Sequence, residues 1–345
     1  MLQIISTVEY GPDLDKVQNI DHSHVIHRYD YFEQNHVDAI LKKGCPKYFL
    51  SDAFTAVSFQ GVQVVGLPLW LEREAKKIIT CTKFSDELIT TNCFNFMINK
   101  KRLNRFLCIK LVEWFKLTDY DYTWSAVDQN FDMSYIIAEL DQLGSRSPLD
   151  ESARSFILSS ITLEKRFFHR WEKTKTQIGN QASIEPYGGN VWAWQNGLNQ
   201  LFSRSAISLI TETVVKEKGM LFTEKTLFAV LGLTFPIWVG GYEQAKEWTR
   251  LGFDTFDDII DHSYQSHSTL IERCYYAIAN NIDLLSDKSK IHKLRLQNKH
   301  RLLKNREFLL ANGISRFVDQ QIAQFPADLQ QVMPDVLKFY RTDPI

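Results

Sequence analysis

Residues 207–241, ISLITETVVKEKGMLFTEKTLFAVLGLTFPIWVGG, limit the possible folds more than any other segment of the chain. The apolar run 207–210 has the length of a buried strand, and the run 235–239 indicates the next strand. Between them, Thr223 stands where a helix N-cap is expected and Gly232 where the helix should stop. This strand–loop–helix–strand pattern predicts a parallel sheet in an α/β protein.

Three consecutive residues lie where this predicted helix would meet a ligand. A helix between two parallel strands begins at the carboxyl edge of the sheet, which is where ligands bind. The N–H groups and dipole of the helix favour a phosphate there, and Lys225 adds a positive charge. Glu224 can accept hydrogen bonds from ribose hydroxyls. An ordinary capped helix with a solvated charge pair would give the same Thr223-Glu224-Lys225 triplet, so the flanking segments decide between the two interpretations.

The flanking segments complete an ordered set of motifs. Glu212 lies upstream of the triplet, and the strand PIWVG of residues 236–240 lies downstream. This set resembles the donor-binding signature of the α-1,3-fucosyltransferase family, and the resemblance is clearest over residues 207–285. It implies that Glu212, Thr223, Glu224 and Lys225 bind a nucleotide-diphosphate sugar of the GDP-fucose kind, as a co-substrate and without a metal or other cofactor.

The chain departs from the family signature at three positions. Thr211 and Thr213 flank Glu212 where the family has Phe and Asn, and Leu221 stands where the family has an aromatic residue. These departures affect the expected identity of the donor sugar more than that of the nucleotide diphosphate. Nucleotide sugars other than GDP-fucose are therefore also possible donors.

Two further residues fit the same resemblance. Asn92 closes an apolar run that starts at residue 87, and Arg105 opens an apolar helical pattern after a loop. Together they resemble the S-N-x…R element of the family, which implies that both residues bind the donor. A planar guanidinium suits a phosphate because it donates two parallel hydrogen bonds.

Sugar transfer with inversion also needs a base that takes the proton of the acceptor hydroxyl. Asp30 follows a short apolar run at the position where the family has a strand that ends in its acidic base. Asp30 is therefore the first candidate for this base and Glu33 is the second. Asp52 and Glu72 are further candidates in the same half of the chain.

The resemblance and the pattern together predict an α/β protein of two facing Rossmann-like lobes, the GT-B type, with a helical C-terminal tail. Residues 1–85 are predicted to form the acceptor-side α/β domain, with the charged stretch 72–86 as the connector. Residues 86–285 are predicted to form the nucleotide-sugar-binding domain, with an insertion around 118–200. Residues 286–345 are predicted to form a basic helical tail.

Composition excludes several classes of protein. The chain has 40 Lys and Arg residues against 41 Asp and Glu residues, so no global field attracts it to nucleic acid or membrane. Its five cysteines are scattered without a C-x-x-C pair, which is typical of buried thiols in a reducing compartment. The sequence shows neither a signal peptide nor a transmembrane segment, so a cytoplasmic location is expected.

No metal site is expected from the sequence. His22, His24 and His27 lack the spacing of a zinc site. Asp119 and Asp121 form a DxD pattern like the manganese motif of other glycosyltransferases, but they follow an apolar helical pattern instead of a strand.

The run 288–306 is basic, with apolar residues at helical spacing, which predicts one long helix. This helix either packs its apolar face on the body of the protein, contacts an anionic membrane surface, or lines a nucleic-acid groove.

The resemblance implies a glycan or lipopolysaccharide acceptor. One alternative is a phage-type DNA glycosyltransferase that acts on hydroxymethylated bases. A second alternative is a non-catalytic nucleotide-sugar-binding or scaffold protein.

Overall fold

The structure is a computed structural model that describes residues 3–7, 19–28, 34–52, 54–55, 62–81, 84–98, 102–124, 133–144, 147–159, 191, 194–212 and 219–341. Within these ranges the chain is an α/β protein built around two four-stranded sheets, and every strand pair in both sheets is parallel. The predicted α/β class is therefore confirmed, and the two sheets are compatible with two lobes.

The strands are, in chain order, β1 (Gln3–Thr7), β2 (His24–Arg28), β3 (Tyr48–Ser51), β4 (Phe54–Thr55), β5 (Gln63–Gly66), β6 (Asn92–Ile98), β7 (Tyr120–Trp124), β8 (Ser205–Ile210), β9 (Gly219–Met220) and β10 (Phe235–Trp238). The first sheet has the order β1-β2-β3-β5, and the second has the order β10-β8-β6-β7. We call the parts built on these sheets the first lobe and the second lobe.

The helices are α1 (Gln34–Leu41), α2 (Leu69–Cys81), α3 (Leu103–Trp114), α4 (Ser134–Leu143), α5 (Glu151–Leu158), α6 (Asn199–Arg204), α7 (Glu224–Leu231), α8 (Gln244–Arg250), α9 (Leu270–Ala279), α10 (Ile282–Ser286), α11 (Lys288–Gln297), α12 (Lys299–Leu310), α13 (Gly313–Ile322) and α14 (Ala327–Arg341). A π-helical turn, Trp194–Leu198, leads into α6, and a 3₁₀ turn, Ser263–Ser266, precedes α9.

Both faces of the first sheet are covered, because successive strand residues point to opposite sides. Ile26 and Phe49 pack in a cluster with Val37 and Ile40 of α1. Residues on the other face, such as Val25, pack against the C-terminal helix α14. The first lobe is thus completed by the last helix of the chain, so its core is not confined to the predicted range 1–85.

The central strand β6 of the second sheet is buried on both faces. Phe94 and Phe96 pack in the cluster that includes α3 and α9, whereas Met97 packs in the cluster that includes α6 and α7. Strand β7 pairs with β6, so the described part of the predicted insertion around 118–200 supplies a strand of the sheet itself.

A short antiparallel pair joins the lobes. Strand β4 follows the first-lobe strand β3, and it pairs with β9, which precedes α7 of the second lobe. Phe54 lies opposite Met220, and Thr55 lies opposite Gly219. This pair links the carboxyl edge of the first sheet to the loop that leads into α7.

The predicted connector 72–86 is wrong in its first part, because residues up to Cys81 belong to α2. Glu72 and Glu74 are buried, while Ala75 and Ile78 pack in a second-lobe cluster. The sequence did not predict this helix because its charged residues are typical of an exposed segment. Neighbouring elements in fact bury some of those charged positions. Helix α2 therefore packs between the two lobes.

Three smaller predictions also need correction. The strand expected from residue 87 begins at Asn92, because the buried run is 93–98. The sequence Phe253-Asp254-Thr255-Phe256 suggests a short strand, but these residues form none, since the N–H and carbonyl of Asp254 bond to the side chain of Asn305 at 2.8 and 2.7 Å. The amphipathic pattern of residues 270–285 predicts one helix, but the structure divides it into α9 and α10, which Asn280 and Asn281 separate.

The basic run forms two helices, α11 and α12, where one was predicted. Arg295 is fully buried and donates to the carbonyls of Gly232, Leu233 and Ser203 at 2.8, 2.9 and 3.0 Å. Two of these carbonyls close the C-terminal end of α7, where a cation stabilises the helix dipole. Burial lowers the pKa of Arg295 to about 9.

The other arginines of these helices also face the body. Arg301 binds Asp254 and Asp258 through four hydrogen bonds of 2.6–2.9 Å. Arg306 donates to the carbonyl of Ser85 at 2.8 Å. The arginines thus hold α11 and α12 on the second lobe. This agrees with the first of the three interpretations of the basic run, in which it packs on the body of the protein.

We predict that Arg295→Met lowers the free energy of unfolding by about 3 kcal/mol, because four hydrogen-bond acceptors lose a buried charged donor. The matched control is Lys293→Met, two residues earlier and exposed, which should change it by less than about 0.5 kcal/mol. Urea denaturation followed by circular dichroism measures both. Equal effects of the two substitutions would contradict the anchoring role of Arg295.

Candidate functional site

The candidate site lies at the carboxyl edge of the second sheet. Strands β6, β8 and β10 are parallel neighbours, so their carboxyl ends share one edge. Helix α3 starts five residues after β6 ends, and α7 starts beside the end of β8. Side chains from the starts of these two helices therefore meet residues that follow β8, as the strand–helix–strand pattern predicts.

Glu212 lies two residues beyond β8, and its side chain contacts the first residues of α7. Its side chain is buried and accepts hydrogen bonds from the N–H of Thr223 at 3.0 Å and from the hydroxyl of Thr226 at 2.6 Å. The hydroxyl of Thr223 donates a further, very short bond to the same carboxylate. Thr223 is the N-cap of α7, as predicted. Glu212 thus positions the helix start and is itself covered.

Glu224 and Lys225 form an ion pair at the open side of this helix start. The ammonium of Lys225 lies 2.7 Å from Oε1 of Glu224 and 3.2 Å from the hydroxyl of Thr223. The Glu224 side chain is 21% exposed and that of Lys225 is 8% exposed. Burial opposes ionisation of Glu224, but the charge and hydrogen bond of Lys225 outweigh it and lower the pKa of Glu224. Among the four predicted residues around α7, Glu224 is the one most open to a ligand.

Arg105 approaches the same site from α3. It is 2% exposed, and its Nε donates to the carbonyl of Thr211 at 3.3 Å. Burial lowers the pKa of Arg105 to about 10, while the charges of Glu224 and Glu212 oppose this shift. The guanidinium therefore stays protonated at neutral pH. It lies close enough to Glu224 and Glu212 to interact electrostatically with both.

The sequence interpretation missed two residues of α3. The side-chain amide of Asn104 donates to the carbonyls of Glu212 at 3.0 Å and Val239 at 3.4 Å, so it ties together the segments that follow β8 and β10. Arg102, the exposed N-cap residue of α3, makes no side-chain capping bond, and its charge acts on Arg105. The sequence signal that could have identified both residues is their position shortly after the buried strand run 93–98, at the carboxyl edge of the sheet.

The assembled site combines basic and acidic side chains. Arg105 and Lys225 are the basic residues, and Glu212 and Glu224 are the acidic ones. Arg102 adds an exposed positive charge at the start of α3. An anionic ligand at this edge would therefore meet Arg102, Lys225 and the first N–H groups of α3, while Glu224 offers an acceptor for hydroxyl groups.

Asn92 does not join this group. It is the first residue of β6, so it lies at the amino edge of the sheet, and its amide donates to the carboxylate of Asp121 at 2.6 Å. Asn92 lies six residues before the last residue of β6, which places it roughly 20 Å from the carboxyl edge, where the other predicted donor residues lie. The misplacement follows from the strand boundary, because an apolar run from residue 87 would have put Asn92 at the opposite end.

The two predicted bases, Asp30 and Glu33, lie outside the described residues. The two further candidates are described and are buried. Asp52 bonds to His27 and Tyr340. Glu72 bonds to Lys76 at 2.8 Å and to Arg341 at 2.9 Å.

The histidines and the DxD pattern do not converge. His24 pairs with Asp21, whereas His27 points to Asp52. Asp119 and Asp121 flank the start of β7 at the amino edge. Among the residues that the structure describes, no three His, Cys, Asp or Glu side chains are grouped so that they could hold a metal ion.

No family model matches the chain, and no curated protein and no solved structure shows a significant similarity to it. The likeness to the fucosyltransferase signature therefore rests on the motif residues alone. In the described part of the chain, no helix combines the length and the apolar character needed to cross a membrane.

We predict that Thr226→Val lowers the free energy of unfolding by about 2 kcal/mol. The hydroxyl of Thr226 donates to Glu212 at 2.6 Å and accepts from the indole of Trp238 at 3.0 Å. Valine therefore leaves the buried indole N–H without this acceptor and removes one of the three hydrogen bonds to Glu212. The control is Thr249→Val on the exposed side of α8, for which a change below about 0.5 kcal/mol is expected. Guanidinium denaturation compares them, and a neutral Thr226→Val would show that Glu212 does not depend on this bond.

Proposed function

We propose that this protein is a glycosyltransferase that moves a sugar from a nucleotide-diphosphate donor to an acceptor hydroxyl with inversion. The observation that carries the proposal is that Arg105 lies near enough to Glu224, the partner of Lys225, to interact with its charge at one sheet edge, although more than a hundred residues separate Arg105 from both in the chain. The fucosyltransferase-like motif names the same residues, so GDP-fucose is the first donor to test.

The proposed donor pose follows from charge and exposure. The hydroxyls of the ribose bond to the carboxylate of Glu224, whose pKa is lowered, so it is ionised at neutral pH. The diphosphate lies against Lys225 and Arg102, with Arg105 behind them. Positive groups in this position stabilise the negative charge that develops on the leaving phosphate. Glu212 has no direct part in this pose, because it is covered and holds the helix start in place.

The reaction proposed is a direct displacement. A carboxylate on the first lobe takes the proton of the acceptor hydroxyl while its oxygen attacks the sugar carbon and the nucleoside diphosphate leaves. Asp30 remains the first candidate for the base and Glu33 the second. Asp52 and Glu72 are poorer candidates, since both are buried and already bonded to other side chains.

The acceptor proposed is a sugar hydroxyl of a glycan or lipopolysaccharide. Binding of the protein to duplex DNA finds less support, because Arg295, Arg301 and Arg306 of the basic helices bond to the body of the protein. Contact of residues 288–306 with an anionic membrane would have to use the remaining lysines, such as Lys293 and Lys304.

We predict that Lys225→Ala weakens GDP binding by roughly 10- to 100-fold, because a charge-assisted bond to phosphate is lost. Lys246→Ala is the control, since Lys246 is an exposed lysine paired with Glu243 on the neighbouring helix α8, and it should leave the affinity unchanged. Isothermal titration calorimetry measures both dissociation constants. An unchanged Kd in Lys225→Ala would contradict the proposed donor site.

A second prediction separates donor classes and tests catalysis. We expect GDP to raise the melting temperature more than UDP, ADP or CMP do, because a bound ligand stabilises the folded state by mass action. The wild-type protein should also release GDP from GDP-fucose when a mixture of sugar acceptors is present, and Asp30→Asn should abolish this release but retain GDP binding. GDP binding without turnover of any nucleotide sugar would favour a non-catalytic binding protein.

A further inference from the structure

Three polar side chains from distant parts of the chain form a buried cluster in the first lobe. His27 lies near the end of β2, Asp52 directly follows β3, and Tyr340 is the next-to-last residue of α14. The Tyr340 hydroxyl donates to Oδ2 of Asp52 at 2.6 Å and lies 3.0 Å from Nε2 of His27. The same nitrogen lies 3.3 Å from Oδ1 of Asp52. All three side chains are almost completely covered.

Packing of the C-terminal helix does not by itself require this cluster. Leu329, Val332 and Met333 of α14 already cover the apolar face of the first sheet. A buried carboxylate is costly unless it is fully paired, and burial raises the pKa of Asp52 against the opposing effects of His27, Tyr340 and the nearby Arg73. A buried polar network at the edge of a sheet is therefore a candidate for a functional role.

A second set of charges fixes the end of α14 beside the cluster. Arg341 donates to Glu72 of α2 at 2.9 Å and to Asp319 of α13 at 2.8 Å. Glu72 also accepts from Lys76 at 2.8 Å. The last turn of α14 is thus bound to the helix that packs between the two lobes.

The cluster lies at the carboxyl edge of its own sheet, the edge at which open parallel sheets bind ligands. His27 and Asp52 come from the carboxyl ends of two neighbouring parallel strands. Two residues after Asp52, β4 pairs with β9, and β9 ends three residues before the N-cap Thr223. A short run of backbone therefore leads from the cluster to the start of α7, where the donor is proposed to bind.

We propose that His27, Asp52 and Tyr340 are positioning residues for the acceptor side of the cleft, and that they couple it to the donor side through β4 and β9. This inference rests on the proposed donor site at Glu224 and Lys225. The cluster holds the ends of β2 and β3, and β4 carries that position to the loop before α7. A nucleotide bound at the start of α7 then also stabilises the carboxyl edge of the first sheet through this strand pair.

The test uses the full-length protein with GDP as the probe and Tyr340→Phe as the variant. The matched control is Tyr135→Phe, which likewise removes one hydroxyl bonded to a carboxylate, that of Glu139, at 2.9 Å. Hydrogen exchange of a peptide covering residues 48–55 is measured with and without saturating GDP. Calorimetry gives the GDP dissociation constant of each protein.

GDP is expected to slow exchange of this peptide roughly tenfold in the wild type and in Tyr135→Phe. In Tyr340→Phe the slowing should fall below about twofold while the GDP dissociation constant stays within about twofold of the wild-type value. Turnover of GDP-fucose should drop about 10- to 100-fold with an unchanged KM for the donor, since the acceptor side is misplaced. A purely structural tyrosine would lower stability without removing the GDP-dependent slowing.

The failures of the two proposals are distinguishable. If the wild type does not bind GDP, the proposed donor site is wrong, and the proposed coupling is then wrong as well. If the wild type binds GDP and Tyr340→Phe shows the same slowing of exchange, only the positioning role is overturned. Should Tyr340→Phe fail to fold, Asp52→Asn preserves the shape of the side chain and must give the same loss of slowing.

Discussion

The arrangement of the candidate site depends on the carboxylate of Glu212 at the start of α7. It accepts from the N–H and hydroxyl of Thr223 and from the hydroxyl of Thr226, which satisfies donors that the first helical turn cannot pair internally. Burial raises the pKa of Glu212, against the opposing effects of Lys225 and these hydrogen bonds. Because Glu212 fills this position, Glu224 and Lys225 are the groups of α7 left at the open edge.

Two helices connect the lobes. Helix α2 leaves the first sheet and packs in the second-lobe core, while α14 returns to cover the first sheet. Between these helices, the buried Arg295 of α11 closes the C-terminal end of α7. The start of α7 is therefore set by Glu212 and its end by Arg295, so the proposed donor helix is fixed at both termini.

Local patterns predicted the parts of the fold in which apolar runs and caps coincide with elements. The strands at residues 207–210 and 235–239 and the cap Thr223 were predicted in this way. Polar residues inside buried elements caused the misses. Asn95 interrupts the apolar run of β6, and Glu72 lies buried in a helix that reads as a charged connector. Those positions are decided by tertiary neighbours, which a single sequence does not reveal.

The central claim is that the carboxyl edge of the second sheet binds a nucleoside diphosphate between α3 and α7. A crystal structure of the protein with GDP tests it most directly. The account predicts diphosphate oxygens within about 3 Å of the Lys225 ammonium and ribose hydroxyls at the Glu224 carboxylate. Density for GDP elsewhere, for example in the open groove beside α8 that Lys246 and Asp261 line, would contradict it.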